Sequence, residues 1–513
     1  MNGFNHVKRF ASSVVSFCAI VCIGEIAAAQ YEQDQTPVPL SPVPNPLDVQ
    51  PGVGEGPALD GTAPSAKDVI DCCDPEKQAA LKAAVGNAHK GLFYNNDFSY
   101  VNNPCFCDWQ LGDCLKQRCI HNGIIMDAGG QYRFRYHNER NIRGTSLTGV
   151  DDEFGLHRLR YFVNLDVNPY LRIYGEGLSA VSQGEDFAPR AIEESKANLQ
   201  NLFGDFLLYA DCCGELTGRV GRQELLYGAQ RSVSPLDWAN TRRTFEGASL
   251  IWKGKNWDLD TFWTHPVSPA GDDFQSTNTS QEFGGTWATY KAVENETLDL
   301  YYLRFVENGG AGFEFNTFGG RYHGSAGSWL WDSWGAGQFG EVGSADQSGW
   351  AYTVGLGRKF ECAPWKPTLW TYYDSASGDA SGNGYHHQFP LAHKYLGYMD
   401  LFGRRNLNDL NVLLTLKPAE KTTLLLWWHD FEQEDANDGV YNVVMAQTAA
   451  ANANGNRDLG QELDVILKHA ITPRAAVLFG YSHFWTGGFF TTHQNVPFSG
   501  DADFYYVQIH QNF

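Results

Sequence analysis

The chain has 513 residues, a formal net charge of −21 and 43% hydrophobic residues, with 54 Gly, 15 Trp, 24 Tyr, 32 Phe and only 4 Met. So acidic a chain is a poor partner for nucleic acid. Beyond the first 29 residues no segment offers the roughly 18 consecutive apolar residues of a membrane-spanning helix, which excludes a helical membrane protein but not a barrel, whose strands need an apolar residue only at every second position.

Residues 1–29 carry Lys8 and Arg9, an apolar run from Phe10 to Ile23, and Ala27-Ala28-Ala29 ahead of Gln30, the pattern of a cleaved secretory signal. Cys18 and Cys22 read as part of its apolar stretch, because Ala19-Ile20-Val21 matches a lipidation site poorly. Residues 30–66 repeat Pro, Gly and Asp without an apolar period and are expected to form a linker. In residues 67–122 a small module is expected: Asp74 suits an N-cap, Pro75 a first helical position, Glu76 to His89 a helix and Gly91 its end. A loop-rich stretch with Cys105, Cys107, Cys114 and Cys119 follows.

From 123 to 513 the chain divides into strand-like runs. They are predicted at 124–137, 154–168, 170–182, 203–211, 215–226, 242–253, 256–264, 282–291, 297–306, 313–323, 326–339, 349–360, 367–374, 405–417, 421–431, 461–470, 474–485 and 502–513. Long connections at 138–153, 183–202, 227–241, 265–281, 375–404, 432–460 and 486–501 alternate with tight ones at Asn168-Pro169, Cys212-Cys213-Gly214, Gly254-Lys255, 417–421 and 471–473. The last run ends on Phe513, with Tyr505, Val507 and Ile509 on one face and Tyr506, Gln508, His510 and Asn512 on the other. An even strand number, long and short connections in alternation and a terminal aromatic point to an all-β fold, a transmembrane antiparallel barrel of about 18 strands in a bacterial outer membrane, with the cysteine-rich module in the periplasm. A soluble sandwich needs neither the terminal aromatic nor the alternation, and a propeller needs a repeat at fixed period that the chain lacks.

Nine cysteines lie beyond the leader: Cys72, Cys73, Cys105, Cys107, Cys114, Cys119, Cys212, Cys213 and Cys362. On this topology all face the periplasm, where disulfides are favoured over a zinc site built from Cys105, Cys107, Cys114 and Cys119. Their odd number leaves at least one thiol free or paired with another chain, and sequence leaves the connectivity open. His386-His387 and the run from His429 to Asp435 offer cation ligands but read more simply as solvated loop faces, so neither metal nor cofactor is expected. Enzyme activity is not expected either, because Ser482 and His483 are neighbours on one strand and face opposite ways.

Parity sorts the side chains. Tyr132, Phe134 and Tyr136 share a face opposite Gln131, Arg133, Arg135 and His137. Leu159, Tyr161 and Val163 oppose Arg158, Arg160, Asn164 and Asp166; Leu171 and Ile173 oppose Arg172 and Glu176. Five lumenal arginines thus meet two carboxylates, Asp166 and Glu176, an excess that suits a water-filled, anion-selective lumen.

Three segments carry a resemblance: Gly221-Arg-Gln-Glu-Leu-Leu-Tyr-Gly228, Asp237-Trp-Ala-Asn-Thr-Arg-Arg-Thr-Phe-Glu-Gly-Ala248 and His393-Lys-Tyr-Leu-Gly-Tyr-Met-Asp-Leu-Phe-Gly403. Together they resemble the alginate-export family of outer-membrane barrels over residues 123–513. That resemblance implies an electropositive, arginine-lined conduit for a polyanionic uronate polymer, and it adds Arg222 and Arg243 to the conduit arginines Arg133, Arg135, Arg158, Arg160 and Arg172. The proline-rich linker, the cysteine-rich module and the acidity depart from the family pattern. The expected partners are an anionic polysaccharide or another anionic solute, outer-membrane lipid, and periplasmic export or envelope components. An envelope-anchoring barrel and a general anion-uptake porin are the alternatives.

Overall fold

A computed structural model describes Cys72 and residues 74–513 except 144, 311 and 382; the expected leader, linker and Cys73 lie outside the described residues. Strict alternation of apolar and polar side chains makes each strand amphipathic across its two faces, and closing the sheet removes the free edges that such strands would otherwise expose. The eighteen strands that result are β1 (Ile124–Arg140), β2 (Asp152–Asn168), β3 (Leu171–Gln183), β4 (Ser195–Asp211), β5 (Gly214–Gln223), β6 (Phe245–Gly254), β7 (Trp257–Ser268), β8 (Gln281–Tyr290), β9 (Glu296–Glu307), β10 (Phe313–Ala326), β11 (Trp329–Val342), β12 (Ala345–Lys359), β13 (Thr368–Ala376), β14 (Leu407–Ala419), β15 (Thr422–Glu432), β16 (Asp458–Thr472), β17 (Ala475–Thr486) and β18 (Ala502–Asn512). Each pairs antiparallel with the next, and β18 closes on β1 in a register running from Gln131 opposite Asn512 to Arg140 opposite Asp503.

The expected strands are all present, with two informative differences. β4 starts at Ser195 rather than 203: between Ser195 and Asn201 only Ala197 and Leu199 are apolar, too weak an alternation to mark a strand, although the segment pairs with β3. β11 and β12 meet in a two-residue turn at 343–344 instead of a loop over 340–348, with Val342 paired to Ala345. Gly343 has φ +62°, which such a tight hairpin requires and glycine adopts without strain.

Outward-facing Tyr132, Tyr136, Leu159, Tyr161, Val163 and Ile173 are exposed, forming the apolar belt, while the neighbouring Arg133, Arg135, Arg158, Arg160, Phe162 and Tyr174 point in and are buried. At the end of the barrel with short turns, the N-terminal segment is drawn into the lumen. Its helix α1 (Pro75–Gly86) is capped by Asp74, whose Oδ1 accepts from the backbone N–H of Glu76 at 2.8 Å and Lys77 at 3.3 Å. The helix stops at Gly86, before the expected His89. Past it the chain turns inward, so that Phe93, Tyr94, Phe98, Tyr100 and Phe106 share one apolar cluster with Phe162 of β2, Tyr174 of β3 and Phe203 of β4. The backbone of this cork also touches the C-terminus: a Cβ on Gly112, at φ +88°, would lie 2.4 Å from the Phe513 carbonyl carbon.

Two long connections fold inward from the other end. Residues 224–244 and 377–406 are joined by a parallel bridge between Val233 and Phe389, and the Phe389 and Leu391 N–H groups donate to the Ser232 and Gln230 carbonyls. Leu225, Tyr227, Val233 and Phe389 pack with Phe245, Phe262 and Phe283 of the wall, whereas Leu396, Met399, Leu401 and Phe402 pack with Trp427, Phe431 and Ile466 on another side.

Candidate functional site: an arginine wall and two inward loops

Strand pleating aims the side chains of Arg133 and Arg135 from β1 and Arg158 and Arg160 from β2 into the barrel. Arg133 is 3% exposed and Arg158 is 1% exposed. They do not stand free in an open pore, because the 224–244 loop lies across them. Arg133 donates to the carbonyls of Asp237 at 2.8 Å and Ala239 at 2.7 Å, and Arg135 donates to the carbonyl of Trp238 at 2.8 Å. Arg135 also stacks its guanidinium 3.6 Å over the Trp238 ring, whose other contacts include His393 at 3.6 Å between centroids. Arg158 pairs with the Asp237 carboxylate at 2.9 Å, and Arg160 with Glu176 at 2.6 Å. Arg242 of the loop bonds both Glu224 and Asp237.

The partners of the arginines therefore include carboxylates from distant loop residues, Asp237 and Glu224, beyond those on the strands themselves. Arg133 and Arg135 nevertheless have no carboxylate ion-pair partner among the described residues, and their charge is met by carbonyl dipoles and Gln508. Nearer the turn end, Arg172 of β3 and Arg219 of β5 share Asp205 at 2.6 and 2.7 Å. Arg222 pairs with Glu246 at 3.0 Å. Arg243 donates to the carbonyls of Ser234 at 3.1 Å and Pro390 at 3.4 Å, and so fastens the two inward loops to each other.

A neighbouring stretch of wall, separated from β1 by β17 and β18, is acidic, and parity along β14, β15 and β16 could have revealed it. Asp409, His429, Glu462 and Asp464 all face inward, with His429 bonded to Asp409 at 2.9 Å. Here the wall accepts where the arginine wall donates: Glu462 receives the Met399 N–H at 2.9 Å and Asp464 the Tyr398 N–H at 3.4 Å. One loop is thus held by its carbonyls and the other by its amides. Between them, toward the long-loop end, lies a small, half-open pocket whose lining includes Arg135, Glu139, Arg190, Trp238, Tyr398 and Asp400.

The remaining candidates are placed as follows. Cys72 and Cys105 form a disulfide with Cα atoms 5.2 Å apart, while Cys107, Cys114, Cys119, Cys212, Cys213 and Cys362 are exposed thiols. His387 accepts the Arg404 N–H and bonds the Val443 carbonyl, so it serves loop packing. Burial, aided by Arg405, pulls His386 down to about 4. Ser482 points inward to Asp464 at 2.5 Å, while His483 bonds Asp503 at 2.8 Å, so the two are not aimed at each other.

The three segments singled out by their resemblance supply much of this arrangement: Gly221–Gly228 leads into the first loop, Asp237–Ala248 crosses the arginines, and His393–Gly403 crosses the acidic wall. Residues 125–498 match the family described as alginate export. No curated protein matches the chain. Among solved structures, OccAB1 of Acinetobacter baumannii is similar with a TM-score of 0.54 at 10% identity, covering 76% of this chain and 96% of its own. OccK8 (OprE) and OpdO of Pseudomonas aeruginosa have TM-scores of 0.52 and 0.51, each at 12% identity and 76% of this chain, covering 98% and 97% of theirs. At such identities the likeness establishes the barrel fold alone. The match over 125–498 carries more, and the chain belongs to the alginate-export family of outer-membrane β-barrels, which are channels and not enzymes.

Proposed function

We propose that the barrel conducts an anionic polysaccharide or oligosaccharide, alginate-like in bearing a carboxylate on its sugars, with the short-turn end and N-terminal module in the periplasm. The observation that carries this reading is the pair Arg133 and Arg135, buried at the lumen wall with carbonyl oxygens in place of carboxylates. A polymer carboxylate offers a guanidinium a charge-assisted, bidentate partner that a neutral carbonyl does not match. Exchange of loop carbonyls for polymer carboxylates along Arg133, Arg135, Arg158 and Arg160 would let the chain advance through repeated contacts, each weak enough to leave. Arg172 and Arg222 extend the same chemistry along the wall, and Arg243 holds the loops that narrow the passage.

The test is current block in planar bilayers. In channels that are open, a polyuronate should interrupt ion current through the reconstituted protein, and a neutral polysaccharide of equal length should not. Replacing Arg133, Arg135, Arg158 and Arg160 by Ser leaves the lipid-facing Tyr132, Phe134, Leu159 and Tyr161 in place. With each wall charge worth on the order of 1 kcal/mol, the variant's block should weaken by far more than about tenfold. Undiminished block would refute the arginine conduit, and chloride flux without any polyuronate block would make the protein a small-anion porin.

A further inference from the structure

The cork occupies two of the arginines that the conduit reading assigns to the polymer, Arg160 and Arg172, together with their neighbours Arg219 and Arg242. Arg172 donates to the Tyr94 carbonyl at 2.7 Å, and Arg242 to the Gly91 carbonyl at 3.2 Å. Arg160 lies 3.6 Å over the Phe93 ring, and Arg219 lies 4.5 Å over Tyr94. Tyr94 Oη donates to the Glu224 carbonyl at 2.8 Å, which links the cork to the first inward loop. A second group of contacts, away from these arginines, locks the cork in place. Arg474, in the turn before β17, donates to Tyr100 Oη at 2.6 Å and Asp113 Oδ1 at 2.7 Å, and Lys116 Nζ donates to the carbonyls of Ala128 at 2.5 Å and Phe513 at 3.2 Å. The Cys72–Cys105 disulfide ties the start of the segment to its middle.

From this geometry we infer that residues 88–117 are an autoinhibitory plug whose binding site includes the conduit arginines Arg160 and Arg172, so that cork docking and passage of a carboxylate-bearing polymer exclude each other. The inference rests on the proposed arginine conduit for the identity of the competitor, but the closure itself does not. Gly91–Tyr94 presents two carbonyls and two rings to arginines that a uronate chain would meet with carboxylates. A polyuronate arriving from the turn end therefore competes with the cork for the same donors, and by linkage a ligand that binds only the uncorked state shifts the channel toward it. The Arg474–Asp113 lock touches no conduit arginine, which makes it the place to test.

Full-length protein carrying Arg474→Gln is reconstituted and compared with the parent for conductance, reversal potential and cleavage of the cork by trypsin at Lys90 and at Lys116, which is buried while the cork is docked. Loss of a hydrogen-bonded buried charge pair should move the docked-to-free ratio by about tenfold or more, with faster cork cleavage and a matching rise in the open fraction. In the parent, a polyuronate should speed cork cleavage and a neutral polysaccharide should not. Should Arg474→Gln fail to insert, Asp113→Asn breaks the same pair from the cork side and leaves the barrel sequence intact. Faster cork cleavage with unchanged conductance would overturn the plug, and cleavage indifferent to polyuronate would overturn its competition with the polymer. A rise in conductance without anion preference would uphold closure by the cork and count against the arginine conduit instead.

Discussion

Arg133 shows how charge and shape divide the work of one side chain. Its fork spans the carbonyls of Asp237 and Ala239, and a planar guanidinium holds that span where an ammonium cannot. Arg133→Lys should therefore keep the lumen's anion preference yet free residues 237–239, seen as faster amide hydrogen exchange there with barrel assembly unchanged. Arg133→Gln should lose both, at a cost to loop docking of about 2 kcal/mol. Equal behaviour of the two variants would mean that the fork does not hold the loop. Parity alone located all five arginines on β1, β2 and β3, because period-two alternation is local. Their partners Asp237 and Glu224 were not legible, since the inward fold of a polar, irregular loop depends on contacts with strands far away in sequence. The acidic Glu462 and Asp464 were within reach of the same parity rule.

At the scale of elements, strand existence was legible throughout and strand ends were not, as the early start of β4 and the tight turn at 343–344 show. The closing strand is secured at its last residue: the Phe513 N–H donates to the Gly130 carbonyl and the Gly130 N–H to the Phe513 carbonyl, both at 2.9 Å. Deleting Phe513 should lower the membrane-inserted, heat-modifiable fraction while leaving export across the inner membrane unchanged. Full insertion would show that closure does not need this pair. The cork carries a pH response of its own. Burial, with Arg474 and Lys116 nearby, pulls His89 from 6.5 down to about 3. A released cork with an ordinary histidine takes up a proton as pH drops through 6.5, whereas the docked one refuses it until about 3. Docking is therefore intact above pH 6.5 and weakens progressively as pH falls toward 3. Cork cleavage by an acid-tolerant protease should rise over that window, and His89→Asn should flatten the rise. An unchanged response in His89→Asn would assign it to other groups. That the N-terminal module enters the lumen was not legible in sequence, because Phe93, Tyr94, Phe98 and Tyr100 show no helical or strand period that distinguishes them from a self-contained core.

For the whole molecule, topology places Cys107, Cys114 and Cys119 of the N-terminal segment, Cys212 and Cys213 of one turn and Cys362 of another at the short-turn end, all exposed. Intact cells should resist a membrane-impermeant thiol reagent even after mild reduction, and spheroplasts should label. Labelling of Cys212 or Cys362 from outside would invert the orientation. The chain as a whole carries −21, so a lumen that merely sampled its average charge would favour cations, whereas the wall of β1 and β2 predicts the reverse. The direct measurement is the reversal potential of the reconstituted full-length protein under a salt gradient, taken on the Arg474→Gln background to open the cork. The account predicts a potential on the anion-selective side that moves toward zero when Arg133, Arg135, Arg158 and Arg160 are replaced by Ser; a cation-selective potential, or one indifferent to those four replacements, would contradict it.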